Sequence, residues 1–208
     1  MSDYKNLKVG IINLKLNNIF SIYQLFNYFN SKITIIDEYA NLKKFDIVIL
    51  PGDGAFKEGM KKLNNTNLND QIINYSSLPK KKILGICLGM QLLLETSSEF
   101  GLSKGLSLIK GKVDKLPNNN ALVPNIGWNK LKSKNKLFNK FNNKFFYFSH
   151  SFYAKPSKLS VVGSYINFGK KKICTSLIDK NIFGIQFHPE KSHMDGIKLV
   201  KKILDIEL

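Results

Sequence analysis

The first half of the chain alternates short apolar runs with segments whose apolar residues recur at helical spacing. Four of the runs predict buried strands, at residues 8–12, 32–36, 45–50 and 82–86. Helical spacing over 19–29 predicts a first helix, and the asparagine-rich stretch 57–75 has helical ends. Strands that alternate with helices in this way favour a parallel sheet covered on both faces.

The second half has little helical periodicity and contains short apolar runs that predict partly antiparallel strands. These runs lie at residues 108–113, 145–148, 160–165, 172–177 and 182–187. A final amphipathic helix begins near Met194, with Ile197, Val200 and Leu204 on one face. Because no repeat or linker divides the chain, we expect one α/β domain over residues 1–208, with a mostly parallel central sheet and an antiparallel portion in its second half.

The motif Gly85-Ile86-Cys87-Leu88-Gly89 lies where the fourth strand meets the next helical pattern. A sharp strand-to-helix turn holds its central residue in a strained backbone, and flanking glycines let neighbouring main chain approach closely. A cysteine at the start of a helix is also favoured as the thiolate. We interpret Cys87 as a nucleophile, the alternative being the buried structural cysteine that is commoner in general.

The segment that ends the last apolar strand offers the groups that a thiol nucleophile needs. His188 and Glu190 are separated by Pro189, and alternate residues of an extended segment project to the same side. A nucleophilic thiol needs a base within reach, and the base needs a third group that fixes its tautomer. Read together, Cys87, His188 and Glu190 predict a catalytic triad.

The other histidines and the second cysteine have simpler interpretations. His150 follows an aromatic strand but has no carboxylate nearby in sequence, so we place it in the pocket lining and not as the base. His193, beside the last helix, is interpreted as a surface residue. Cys174 lies mid-strand among apolar residues and is interpreted as an inert core thiol, and two cysteines are too few for a disulfide framework.

Composition limits the partners of this chain of 208 residues. The net charge is +17, but all 32 basic residues are lysines, which read phosphates and bases less specifically than arginines. The lysines are also dispersed, which favours a solvated surface and argues against nucleic-acid binding. The longest apolar stretch is too short to span a bilayer, and early charged residues interrupt any signal-peptide pattern, so we expect a cytoplasmic protein with no membrane association.

The segment 85–91, taken together with 187–190, resembles the class I, triad-type glutamine amidotransferase family. That resemblance implies a flavodoxin-like, three-layer fold and an enzyme that hydrolyses glutamine. One branch of the family, the glutaminase subunits of imidazole glycerol phosphate synthases, is similar over further segments. They are residues 51–56, 105–111, 124–129, 147–152 and 188–192.

The resemblance implies a role for each matching residue. Cys87 would attack the glutamine carboxamide, and backbone N–H groups of Asp53 and Leu88 would hold the oxyanion. The residues implied to bind glutamine are Gly52, Gln91, His150, Ser151 and Phe152. The residues that match partner-facing positions are Asn18, Trp128, Tyr147 and Lys191. No metal or other cofactor is implied.

The branch also implies a heterodimer with a (β/α)8-barrel cyclase, which uses the ammonia to close the imidazole ring in histidine biosynthesis. The pair would combine hydrolase and lyase activities. Three features depart from the family pattern: the loop 13–18 lacks the usual glycines, Asp53 stands where a small apolar residue is usual, and Asn125 replaces a common histidine. Two alternatives stay open: a related branch that supplies ammonia for amidination of bacterial surface sugars, and an inactive scaffold with the same fold.

Overall fold

The computed structural model describes residues 4–16, 19–118 and 121–207. The helices of these residues are α1 (Phe20–Asn27), α2 (Phe56–Asn65), α3 (Leu68–Ser76), α4 (Leu88–Leu92) and α5 (His193–Leu204). The strands are β1 (Lys8–Ile12), β2 (Lys32–Ile36), β3 (Ile47–Leu50), β4 (Lys82–Ile86), β5 (Thr96–Ser97), β6 (Ser103–Lys104), β7 (Gly111–Lys115), β8 (Asn125–Lys130), β9 (Phe145–His150), β10 (Phe152–Pro156), β11 (Val162–Phe168), β12 (Lys171–Asp179) and β13 (Ile182–Ile185). None of the helices described is both long enough and apolar enough to cross a membrane.

A seven-stranded sheet forms the centre of the fold, in the order β11-β12-β13-β4-β3-β1-β2. Five of its strands are parallel, and β12 and β11 extend one edge in antiparallel pairing. The order β2-β1-β3-β4-β13 is that of flavodoxin-like folds. The predicted fold class, a mostly parallel sheet with an antiparallel portion from the second half, is therefore confirmed.

The side chains of β3 show how the sheet separates two apolar cores. Ile47 and Ile49 pack into the core that includes α1 and α5, whereas Val48 and Leu50 pack into the core beneath α2, α3 and α4. All four side chains are fully buried, and each contributes roughly 1.5–3 kcal/mol relative to exposure. Because both faces of the sheet carry helices, the fold has the three layers that the resemblance implied.

Some elements differ from the sequence-based expectation. The helical pattern that follows Cys87 forms only a short helix, because α4 ends at Leu92 and the chain turns into β5 soon afterwards. Strand β8 was not predicted, because it pairs only with β9 and one of its faces is exposed, so it lacks a continuous apolar run. A four-stranded sheet, β10-β7-β5-β6, lies beside the central one and contains strands too short to give a periodic signal.

Candidate active site

The turn between β4 and α4 holds Cys87 in a backbone conformation that L-residues rarely adopt, with φ 52° and ψ −110°. Both glycines of the motif are required by close backbone approach. A Cβ on Gly85 would lie 2.6 Å from the carbonyl oxygen of Gly89, and one on Gly89 would lie 1.7 Å from that of Leu50. The strained turn predicted from the motif is therefore present, and it lies at the carboxyl end of a central strand, where ligands of such sheets bind.

The structure brings the three predicted triad residues together. His188 Nδ1 lies 2.7 Å from Glu190 Oε1, so the ring N–H donates to the carboxylate. The sulfur of Cys87 lies within 4.8 Å of a ring nitrogen of His188. Glu190 reaches the ring from a one-turn 3-10 helix, Pro189–Lys191, and not from the extended segment assumed in the sequence argument.

The electrostatic environment of His188 keeps its ring charged at neutral pH. Burial lowers the pKa of His188, but hydrogen bonding and charge from Cys87 and Glu190 outweigh this effect and raise the pKa to about 10. Both side chains of the His188–Glu190 pair are almost completely buried, at 3% and 4% exposure. The charges of the His188 imidazolium and the Glu190 carboxylate therefore compensate each other where water is largely excluded.

The predicted oxyanion donors, the N–H groups of Leu88 and Asp53, lie beside the thiol on two different elements. In this structure the N–H of Leu88 donates to the carbonyl oxygen of Gly52 at 3.1 Å. That carbonyl and the N–H of Asp53 belong to the same peptide unit. Rotation of this single peptide would release the Leu88 donor and turn the Asp53 donor towards the space that the carbonyl now faces.

Asp53 also places its side chain in the site. Its Oδ1 lies 3.6 Å from Nε2 of His188, the ring nitrogen that is not bonded to Glu190. The Asp53 side chain is 48% exposed, so it remains solvated while it contacts the buried ring. The catalytic imidazole therefore faces one carboxylate at each of its two nitrogens.

A cavity of about 350 Å³ opens beside the sulfur of Cys87. Four of the five predicted glutamine-binding residues line it: Gln91, His150, Ser151 and Phe152. The fifth, Gly52, lines an adjoining cavity of about 130 Å³ together with His188 and Glu190. Asp53 and Lys191 line both cavities and so stand at their boundary.

His150 is fixed in a neutral form by its two ring hydrogen bonds. Nδ1 donates to the carbonyl oxygen of Phe152 at 2.8 Å, and Nε2 accepts from the Asn125 amide at 2.9 Å. Burial is the main cause that lowers its pKa to about 4. The ring therefore shapes the main chain that follows β9, as expected for a lining residue.

Two residues that were not predicted from the sequence also border the site. Gln186 is fully buried, donates to the sulfur of Cys87 at 3.7 Å and accepts from the Gln91 amide at 3.0 Å. Glu99 lines the larger cavity, and its Oε2 accepts from the backbone N–H of Phe56 at 2.7 Å. Position next to Phe187 and His188 was the only sequence signal for Gln186, and Glu99 had none.

Three of the predicted partner-facing residues, two aromatic and one basic, lie together beside the triad, and Tyr147 meets the ring of His188. Trp128 is 45% exposed and stacks on His193, with ring centroids 5.1 Å apart. Tyr147 meets the edge of Trp128, and the Lys191 ammonium lies 5.9 Å from the centre of the Tyr147 ring. Asn18, the fourth such residue, lies outside the described residues.

Comparisons with known proteins agree with the enzyme class that the triad geometry indicates. A family model described as glutamine amidotransferase class-I matches residues 15–204. The imidazole glycerol phosphate synthase subunit HisH of Prochlorococcus marinus (strain MIT 9312) is 37% identical over 201 residues, which cover 95% of this chain and 97% of that protein. Subunit HisH 2 of Vibrio vulnificus (strain YJ016) is 39% identical over 205 residues, covering 96% and 94%.

A solved structure extends the comparison to the fold. The structure of PurLQS from Thermotoga maritima matches with a TM-score of 0.76 over 96% of this chain and 98% of that chain. Sequence identity there is 16%, so this likeness concerns the fold alone.

Proposed function

Because the chain belongs to the class-I glutamine amidotransferase family, and within it to the HisH subunits, we propose that it hydrolyses glutamine and delivers the ammonia for imidazole glycerol phosphate formation. The single observation that carries this proposal is the cluster of Cys87, His188 and Glu190 at the carboxyl edge of the sheet. An inactive scaffold would have no need for a strained cysteine beside a buried imidazole–carboxylate pair.

The chemistry follows from the positions of these three groups. His188 already carries its proton at neutral pH, and the sulfur of Cys87 attacks the carboxamide carbon of glutamine as the thiolate to form a tetrahedral adduct. His188 then donates a proton to the departing nitrogen, so that ammonia leaves and a glutamyl thioester remains on Cys87. Water attacks the thioester, with His188 accepting its proton, and glutamate is released. Glu190 holds the ring in the tautomer that this exchange needs.

The oxyanion of the adduct requires two N–H donors close to the sulfur. We propose that the Gly52–Asp53 peptide rotates before reaction, which frees the N–H of Leu88 and adds that of Asp53. In the conformation described here the Leu88 donor is occupied, at 3.1 Å from the Gly52 oxygen. Hydrolysis by the subunit alone is therefore expected to be slow, with the rotation favoured in the complex.

Glutamine recognition is assigned to the larger cavity, whose volume of about 350 Å³ falls near the lower end of the range typical for small-molecule sites. The Gln91 amide nitrogen is already held by Phe152 and Gln186, so the side chain is fixed and its carbonyl oxygen can accept from the substrate. Glu99 supplies a carboxylate that complements the α-ammonium group of glutamine.

We further propose that the partner is a (β/α)8-barrel cyclase and that the pair acts in the cytoplasm. The surface that supports this assignment consists of the exposed Trp128, the partly exposed Tyr147 and the lysine Lys191 beside it. Exposed aromatic side chains beside a catalytic centre are typical of the anchors of protein interfaces. Their position next to His188 would let a bound partner receive ammonia where it is formed.

The decisive experiment measures glutamate and ammonia release with and without the barrel protein and its nucleotide substrate. We expect turnover to rise strongly with both, and to vanish in Cys87→Ala. Cys174→Ala is the matched control, because burial raises the pKa of Cys174 to about 12 and its thiol is unreactive. Hydrolysis retained by Cys87→Ala would refute the mechanism. No stimulation by the barrel protein would refute the assigned partner.

A further inference from the structure

The side chain of Asp53 adds a third metal-binding donor to the cysteine–histidine pair. The sulfur of Cys87, a ring nitrogen of His188 and a carboxylate oxygen of Asp53 all lie within 4.8 Å of one another. The Nε2 atom of His188 is 3.6 Å from Asp53 Oδ1 and has no hydrogen-bond partner within the described residues. Three groups that can bind a metal, a thiol, an imidazole nitrogen and a carboxylate, therefore meet at one point of the site.

The donor set is that of a zinc site. Zinc takes thiolate sulfur, imidazole nitrogen and carboxylate oxygen at about 2.0–2.3 Å in tetrahedral geometry, which places ligand atoms roughly 3.3–3.7 Å apart. The separation of 3.6 Å between His188 Nε2 and Asp53 Oδ1 already meets this requirement. The sulfur, which lies within 4.8 Å of the other two atoms, would have to approach by at most about 1 Å, and the Asp53 side chain is half exposed and can follow it.

The surroundings of the ring also suit a metal ligand. Nδ1 of His188 donates to Glu190 at 2.7 Å, which leaves Nε2 as the coordinating nitrogen. A carboxylate bonded to the far side of a metal-bound imidazole is the usual arrangement at zinc sites, where it fixes the tautomer and raises ligand basicity. The fourth position would face the cavity beside Cys87, where a water molecule can complete the tetrahedron.

We propose that Cys87, His188 and Asp53 together form an inhibitory site for zinc. Binding of Zn²⁺ releases the thiol proton and any proton on Nε2, and the metal then occupies both the nucleophile and its base. Zinc acts here as an inhibitor of the reaction and not as its cofactor. The loss of activity rests on the proposed function, whereas the binding of metal does not. A small apolar residue at position 53 would leave only two protein ligands.

The test uses the full chain freed of metal with a chelator and titrated with Co²⁺, whose bond to a thiolate gives a charge-transfer absorption band. Displacement of Co²⁺ by Zn²⁺ then reports the zinc affinity without any need for activity. Asp53→Asn removes the third ligand with little change in shape. Asp70→Asn, an exposed position on α3, is the matched control, and Cys87→Ser removes the thiolate.

We expect the wild type and Asp70→Asn to show the thiolate–cobalt band, and Cys87→Ser to lack it. The zinc affinity of Asp53→Asn should fall by roughly tenfold to a hundredfold, the loss that removing even an outer-shell partner causes. Glutamine hydrolysis by each variant is compared with its own rate without metal. The zinc concentration that inhibits Asp53→Asn should rise by the same factor. Equal zinc affinity in Asp53→Asn and the wild type, or a band that persists in Cys87→Ser, would overturn the proposal. Glutaminase inactivity with an intact cobalt band would instead count against the proposed function alone.

Discussion

Lowering the pH from 7 to 4.5 should destabilise this protein mainly through His150. Its ring is neutral in the folded state, with a pKa of about 4, but takes up a proton near the ordinary value of 6.5 once the chain unfolds. The unfolded state therefore binds more protons throughout this interval, and folding stability falls as the pH falls. The contribution of neutral His150 to folding stability is present above pH 6.5 and is fully lost below pH 4.

The size of the effect follows from the difference between the two pKa values. A shift from 6.5 to about 4 corresponds to about 3 kcal/mol in full, of which about 2 kcal/mol is lost between pH 7 and pH 4.5. This loss is a large part of the free energy of unfolding of a typical domain, which is roughly 5–15 kcal/mol. The lowered pKa values of Asp114 and Asp205 act below their ordinary range. His188 is protonated throughout the interval in the folded state, but its unfolded form takes up a proton near pH 6.5, which offsets the loss by about 1 kcal/mol.

The measurement is urea denaturation followed by circular dichroism at pH 7, 6, 5 and 4.5. The wild type should lose stability with a slope approaching about 1.4 kcal/mol per pH unit. His150→Gln should lose about 1 kcal/mol at pH 7, because one of two ring hydrogen bonds is lost, and should then vary little with pH. His193→Gln, at an exposed histidine, is the matched control and should follow the wild type. A wild-type slope retained by His150→Gln would show that another group titrates and would refute the reasoning.

Three further outcomes follow from the site. Gly89→Ala should cost more than about 3 kcal/mol in urea denaturation, because its Cβ would lie 1.7 Å from the Leu50 oxygen. His188→Gln should reduce ammonia release at least about 1000-fold and remove the stability that the wild type loses between pH 6.5 and 10, since the folded pKa of about 10 exceeds the ordinary value. Gln186→Leu should lower kcat about tenfold with intact folding, because the sulfur of Cys87 loses a donor; unchanged kinetics would deny Gln186 a role.

The sequence was sufficient for the parts of the site that follow from local patterns. The apolar runs located the parallel strands, and the glycines on both sides of Cys87 predicted its strained turn before any contact was known. His188 and Glu190 are two residues apart, so their proximity to each other needed no knowledge of the fold. Their proximity to Cys87, by contrast, requires β13 to pair with β4, and this parallel pairing is a property of the whole sheet.

The remainder of the site depends on tertiary packing that no local pattern encodes. Gln186 contacts the sulfur because β13 lies beside β4, and Glu99 reaches the cavity from the loop between β5 and β6, whose strands gave no periodic signal. Glu190 contacts His188 as predicted, but from a 3-10 turn that begins at Pro189 and not from a continuing strand. Proline fixes one dihedral only, so the direction of the chain beyond it was set by packing.

Both obstacles to reaction in the described conformation lie on one short segment, Gly52–Asp53. The carbonyl of Gly52 occupies the donor of Leu88, and the carboxylate of Asp53 faces the ring nitrogen that must exchange protons with the sulfur. Rotation of the Gly52–Asp53 peptide would relieve the first obstacle, and a change in the half-exposed Asp53 side chain on the same segment would relieve the second. A partner that contacts this turn would therefore need to shift only a few backbone dihedrals, while the triad, which is held by β4, β13 and the 3-10 turn, stays in place. Because so small a shift is enough, an aspartate at position 53, which is unusual for the family, is compatible with an otherwise intact catalytic centre.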